Sequence, residues 1–77
     1  MNTKEQILDI LADYVDTPVD QIDTSAGLKL AVGLDSFILF SFIRSIEENF
    51  SISIPNEELL MMTNLDDIIA YVDELRK

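Results

Sequence analysis

The chain has 77 residues, is 48% hydrophobic, and sets fifteen acidic against five basic side chains for a formal net charge of −10. That is the length of one domain, apolar enough to fold, with a charge that repels nucleic acid and anionic membrane. It holds no cysteine and no histidine, which excludes disulfides and thiolate metal sites and removes the commonest general base.

The opening residues Met1 to Glu5 are polar, with no apolar signal core. The longest apolar run, Phe37 to Phe40, is far too short to span a bilayer. These features lead to the expectation of a cytoplasmic monomer that does not insert into membranes. Its negative field would steer basic protein surfaces toward it.

In chain order, Thr3 and Gln6 have the spacing of a capping box. Ile7, Leu8, Leu11, Tyr14 and Val15 then recur at helical spacing. They predict a first helix over about residues 4–15, ended by Thr17-Pro18. Residues 16–35 read as a long loop, with Val19, Ile22, Leu28, Leu30 and Val32 at irregular spacing and a turn near Asp20–Ile22. Such a length inside a small domain points to function. Asp16 to Gly27 fails as a calcium loop, because glycine stands where the terminal glutamate belongs. No metal site is expected.

A second helix is expected over about residues 36–49. Leu39, Phe42, Ile43, Ile46 and Phe50 form its core stripe, and Phe37, Ile38, Phe40, Ser41, Arg44, Glu47 and Glu48 lie off it. Ser51 to Pro55 alternates like a strand but has no partner, so Ile52 and Ile54 are read as core plugs on an extended link. A short third helix follows at about 57–62. A fourth, at about 65–76, is capped from Thr63-Asn64 and buries Leu65, Ile68, Ile69, Val72 and Leu75. The fold class is all-α: a small four-helix bundle of three longer helices and one short one, forming a single domain over 1–77.

The chemistry-bearing stretch is Gly33-Leu34-Asp35-Ser36-Phe37. Gly33 lets the backbone turn, Asp35 can cap the second helix, and Ser36 sits at its positive end, where an attached phosphate is favoured. The pentapeptide by itself also fits a simple cap pair. Ser36 is a poor nucleophile candidate, since no histidine can activate it and the motif is not Gly-x-Ser-x-Gly. No catalytic residue is expected.

The stretch resembles the Gly-x-Asp-Ser-Leu signature of acyl carrier proteins and related peptidyl carrier domains. The likeness extends over nearly the whole chain, through Ile46-Glu47-Glu48-Asn49-Phe50, Ile54-Pro55, Asn56-Glu57-Glu58 and Ile69-Ala70-Tyr71-Val72. It implies that a phosphopantetheinyl transferase places a covalent 4′-phosphopantetheine arm from coenzyme A on Ser36, with Asp35 and Gly33 shaping the site. The arm would hold an acyl or aminoacyl group as a thioester for partner enzymes bearing basic docking patches. The protein itself would be no enzyme. The resemblance places the docking surface on the second helix, at Phe37, Ile38, Phe40, Ser41, Arg44, Glu47 and Glu48. It also suggests an acyl pocket lined by Leu39, Phe42, Ile46, Leu59, Met62 and Ile68, unless Phe42 fills that space.

Two departures from the family pattern matter. Phe37 stands where leucine is usual, as in D-alanyl carriers, and Ile38 and Ser41 stand where acids are common. They favour a specialised polyketide, nonribosomal peptide or modified-lipid pathway over primary fatty acid synthesis. A different class of reading is an unmodified acidic helical adaptor, with Phe37, Ile38 and Phe40 against a basic partner. Phe37 and Ile38 could also fold under the long loop as extra core.

Overall fold

The computed structural model describes residues 2–27 and 36–76, the side chain of Ser36 excepted. Among them lie four α-helices: α1 (Thr3–Leu11), α2 (Ser36–Phe50), α3 (Asn56–Leu59) and α4 (Leu65–Leu75). A 3₁₀ turn, Val19–Gln21, follows α1. No strand occurs among the described residues, only an isolated bridge between Gly27 and Asn64.

The start of α1 differs from the capping box expected of Thr3 and Gln6. Asn2 is the cap, and its side chain accepts from the Glu5 amide at 2.8 Å. Thr3 is instead buried within the helix, because its hydroxyl has a tertiary role. It donates to Asp73 Oδ1 at 2.8 Å and accepts from the Arg76 guanidinium at 3.0 Å. Arg76 also lies over the Phe50 ring, 4.8 Å from its centre. The beginning of α1, the end of α2 and the end of α4 are thereby joined at one corner.

The first helix ends at Leu11, earlier than its periodicity suggests. Asp13 and Tyr14 donate to the carbonyls of Ile10 and Leu11, three residues back, which tightens the last turn. Tyr14 is drawn toward α2. Its hydroxyl donates to the Ser41 carbonyl at 3.2 Å and shares a short hydrogen bond with Ser45 Oγ. Its ring meets Phe42 edge-on at 6.0 Å between centroids.

The core forms where three helical stripes meet. Ile7 and Leu11 come from α1, Phe42, Ile43 and Ile46 from α2, and Leu65, Ile68 and Val72 from α4. Two links add Ile22 and Ile54. Leu39 and Phe50, at the edges of the α2 stripe, are half-buried.

The long connection is tied down where it is described. Asp23 forms an Asx turn, accepting from the backbone and hydroxyl of Ser25. The following residues then reach the head of α4, where Asp66 N–H donates to the Thr24 carbonyl and Asn64 Nδ2 to the Ser25 carbonyl. Asn64 also caps α4 by accepting from the Asp67 amide at 2.8 Å, and Asp67 in turn accepts from Thr63.

Helix α2 stops in a left-handed turn. Ser51 has φ 56°, and Ile52 N–H reaches back to the Glu47 carbonyl at 3.1 Å, closing a Schellman-type end. Helix α3 covers four residues rather than the six expected. Leu60 donates to the Asn56 carbonyl, but Met61 and Met62 tighten to Glu58 and Leu59, so the last turn leaves α-geometry.

Candidate functional site

Ser36 is the first residue of α2, a helix of 15 residues. Its backbone therefore stands at the positive end of a long helix dipole, suited to a phosphate ester. Gly33 and Asp35, the other expected site residues, lie outside the described residues, as does the Ser36 side chain.

From Ser36, the helix divides its side chains between surface and core. Phe37 and Phe40 are 80% and 57% exposed. Of the pair Phe37 and Ile38, for which burial as extra core is the alternative, Phe37 is exposed. Ile38, expected beside Phe37 and Phe40 on the docking face, is half-buried and packs against the core. The 100° step between residues carries position 38 toward the side occupied by Phe42, while 37 and 40 remain outside. Ser41 is half-buried, its carbonyl engaged by Tyr14.

The charged residues of this helix are not equivalent. Arg44 and Glu48 are exposed and approach to 3.9 Å as an i, i+4 pair. Glu47 is half-buried, and its Oε2 accepts the Ile54 amide at 2.7 Å. One acid of the Glu47-Glu48 doublet is thus balanced by a cation and the other is turned to the backbone. The described surface of α2 is more apolar than acidic.

Clefts border this surface, two of them shared by Phe40 and Leu59. One, of about 460 Å³, is lined by Leu39, Phe40, Asn56, Leu59, Leu60 and Met62. Leu39, Leu59 and Met62, expected around an acyl pocket, share it. Phe42, Ile46 and Ile68, expected with them, do not. They are completely buried in the core below, where the bulk of Phe42 fills the interior. A second cleft of about 370 Å³ lies between α2 and α3, with Phe37, Arg44, Glu47 and Ile54 in its wall.

The exposed apolar surface continues onto residues that periodicity did not single out. Leu60 and Met61 are 84% and 76% exposed. The signal was present in Leu59-Leu60-Met61-Met62, since a one-turn helix cannot direct four consecutive apolar side chains inward.

Electrostatic perturbation lies elsewhere. Hydrogen bonds from the Ser25 hydroxyl and backbone hold the exposed Asp23 carboxyl below its ordinary value. Among the described residues no group of acids is arranged to hold a metal ion, and no helix is long and apolar enough to cross a membrane.

Residues 5–72 match the family described as phosphopantetheine attachment site. Acyl carrier proteins of Akkermansia muciniphila and Campylobacter hominis are 26% and 23% identical, over 95% and 100% of this chain and 91% and 98% of theirs. The fold matches the acyl carrier protein of Enterococcus faecalis with a TM-score of 0.76 at 19% identity, covering 96% of this chain and 98% of that one. It also matches the carrier-sized chain in a crystal structure of an engineered Bradyrhizobium japonicum glycine:[carrier protein] ligase complexed with carrier protein from Agrobacterium tumefaciens and ATP. There the TM-score is 0.79 at 31% identity, covering 95% of this chain and 99% of that one.

The chain belongs to the acyl carrier protein family. Its members are non-catalytic proteins that carry a covalent 4′-phosphopantetheine arm and work with separate enzymes. A site that begins a helix, next to an open apolar cleft, fits such a group, which needs an anchoring hydroxyl and surface room for a flexible chain.

Proposed function

We propose that the Ser36 hydroxyl is the attachment point and that the protein is a single carrier domain presenting an acyl or aminoacyl group in a specialised pathway. In the attachment step Ser36 Oγ forms the new phosphoester bond with coenzyme A, its proton leaves, and adenosine bisphosphate departs. When bound, the arm supplies the thiol on which cargo is held as a thioester. The chain's own residues contribute an anchored helix start and a partner surface centred on Phe37 and Phe40.

The observation that carries this reading is the combination of the Gly33–Phe37 signature with the family match over residues 5–72. The preference for a small aminoacyl or short acyl cargo, loaded by an ATP-dependent ligase, is supported by the likeness to the carrier-sized chain in the ligase complex. The burial of Phe42, Ile46 and Ile68 is in keeping with it, since these side chains sit in the core rather than in the lining of the 460 Å³ cleft. A second reading, a medium-length acyl group resting in the 460 Å³ cleft, is favoured by that cleft's Leu39, Leu59 and Met62 lining.

Incubation with coenzyme A and a broad-specificity phosphopantetheinyl transferase is expected to add one phosphopantetheinyl group by intact mass, with no addition to Ser36→Ala. Absence of any addition with several such transferases would instead support the acidic adaptor. Amide shifts of the holo protein loaded with short and with medium chains distinguish the two cargo readings. Cargo-dependent shifts at Leu39 and Met62 support the cleft.

A further inference from the structure

We propose that Glu47 is a latch that positions α3 against α2, and that the electrostatic docking role of the Glu47-Glu48 pair rests on Glu48. This rests on the carrier reading above and refines how its partner surface is built.

Helix α3 cannot hold its own position. It has four residues, too few to be stable by itself. Its cap residue, Pro55, provides no side-chain hydrogen bond. What fixes its start is the link before it. Ile54 buries its side chain in the core, and its amide is held by Glu47 Oε2 at 2.7 Å. The Glu47 carbonyl meanwhile accepts from Ile52. One residue of α2 thus binds the link at two points, two residues apart, by backbone and by side chain.

The consequence is geometric. Glu47 and Ile54 form part of the wall of the 370 Å³ cleft that also contains Phe37, Phe40 and Leu59. The spacing between the exposed aromatics of α2 and the apolar side chains of α3 is therefore set where Glu47 grips the Ile54 amide. A carboxylate accepting a backbone N–H is among the stronger hydrogen bonds available. A carboxylate directed to that amide is less free to turn toward a partner than Glu48, which is exposed on the same helix beside Arg44.

The test compares Glu47→Gln, Glu47→Ala and Glu48→Gln, using a phosphopantetheinyl transferase as the partner and hydrogen exchange at Ile54 as the structural readout. Glutamine keeps an acceptor for the Ile54 amide and loses the charge; alanine loses both. Glu47→Ala is expected to raise KM on the order of tenfold, comparable to losing one charge-assisted hydrogen bond, and to speed Ile54 exchange. Glu47→Gln is expected to recover most of both effects. Glu48→Gln is expected to raise KM about two- to fivefold, as for an exposed charge, with Ile54 exchange unchanged.

Equal KM increases in Glu47→Gln and Glu47→Ala, with Ile54 exchange unchanged, would overturn the latch and return Glu47 to the role of a docking charge. If Glu47→Ala does not fold, Glu47→Gln against Glu48→Gln decides: the larger KM effect at Glu47 counts against the proposal. If Ser36 is not modified at all, the carrier reading fails, and Ile54 exchange still tests the latch separately.

Discussion

The two halves of α2 share one helix and opposite environments. From Phe42 onward its apolar side chains meet α1 and α4. Phe42 and Ile46 are wholly buried, Tyr14 straps the helix from the side, and Phe50 lies under Arg76 at the corner where α1 and α4 close. From Ser36 to Ser41 the same helix presents Phe37 and Phe40 outward, opposite a one-turn α3 that leaves Leu60 and Met61 exposed. The exposed stretch is the more apolar of the two, with four apolar residues in six and no charge against four in nine with three charges, so hydrophobicity does not account for the difference. What does, among the described residues, is whether a second long helix covers the stripe. A small domain has material to cover only part of its apolar surface, and an exposed apolar patch is where a partner would be sought.

The sharpest way to break this comparison is to truncate one phenylalanine in each half. Phe42→Ala is expected to cost about 3–5 kcal/mol in denaturant unfolding, as for a large core aromatic. Phe37→Ala is expected to change stability by less than about 0.5 kcal/mol while weakening recognition by the transferase. If Phe37→Ala were as destabilising as Phe42→Ala, the open half would be core after all.

A smaller effect tests the closed end from the loop side. Asn64 caps α4 and also holds the Ser25 carbonyl. Asn64→Ala is expected to cost about 1–2 kcal/mol, since both a helix cap and a loop contact are lost. A loss near zero would mean that residues 23–27 are held by packing alone.

The smallest effect is a titration. The Asp23 carboxyl lies below its ordinary value because the Ser25 hydroxyl and amide donate to the charged form. A depressed folded value means that this contribution is present above the unfolded carboxylate value and is lost as pH falls through the folded one. Carboxyl shifts followed by NMR are expected to show Asp23 titrating low, and Ser25→Ala is expected to move it upward. An unchanged titration in Ser25→Ala would remove the hydroxyl as the cause.

Particular residues mark how far the sequence could be read. Helical spacing located Ile7, Leu11, Phe42, Ile46, Ile68 and Val72 because each stripe repeats for at least two turns. Asn64 was legible as a cap for the same local reason. The cap of α1 was not: Thr3 has the residue type and spacing of a cap, yet Asn2 takes that role. It is settled by Asp73 and Arg76, some seventy residues away. Leu60 and Met61 were visible as an excess of apolar residues for one turn, but their exposure is set by which elements pack beside α3.

The signature Gly33–Phe37, the acidity, the missing catalytic side chains and the order of amphipathic helices are properties of the sequence alone. They are carried by residue type and local spacing, and they are enough to place the chain among carriers. Only the tertiary structure separates Glu47 from Glu48, sends Ile38 inward beside an outward Phe37, and buries Phe42 wholly among α1, α2 and α4. Those distinctions depend on which groups meet across the bundle, and no local pattern encodes a partner that comes from another helix.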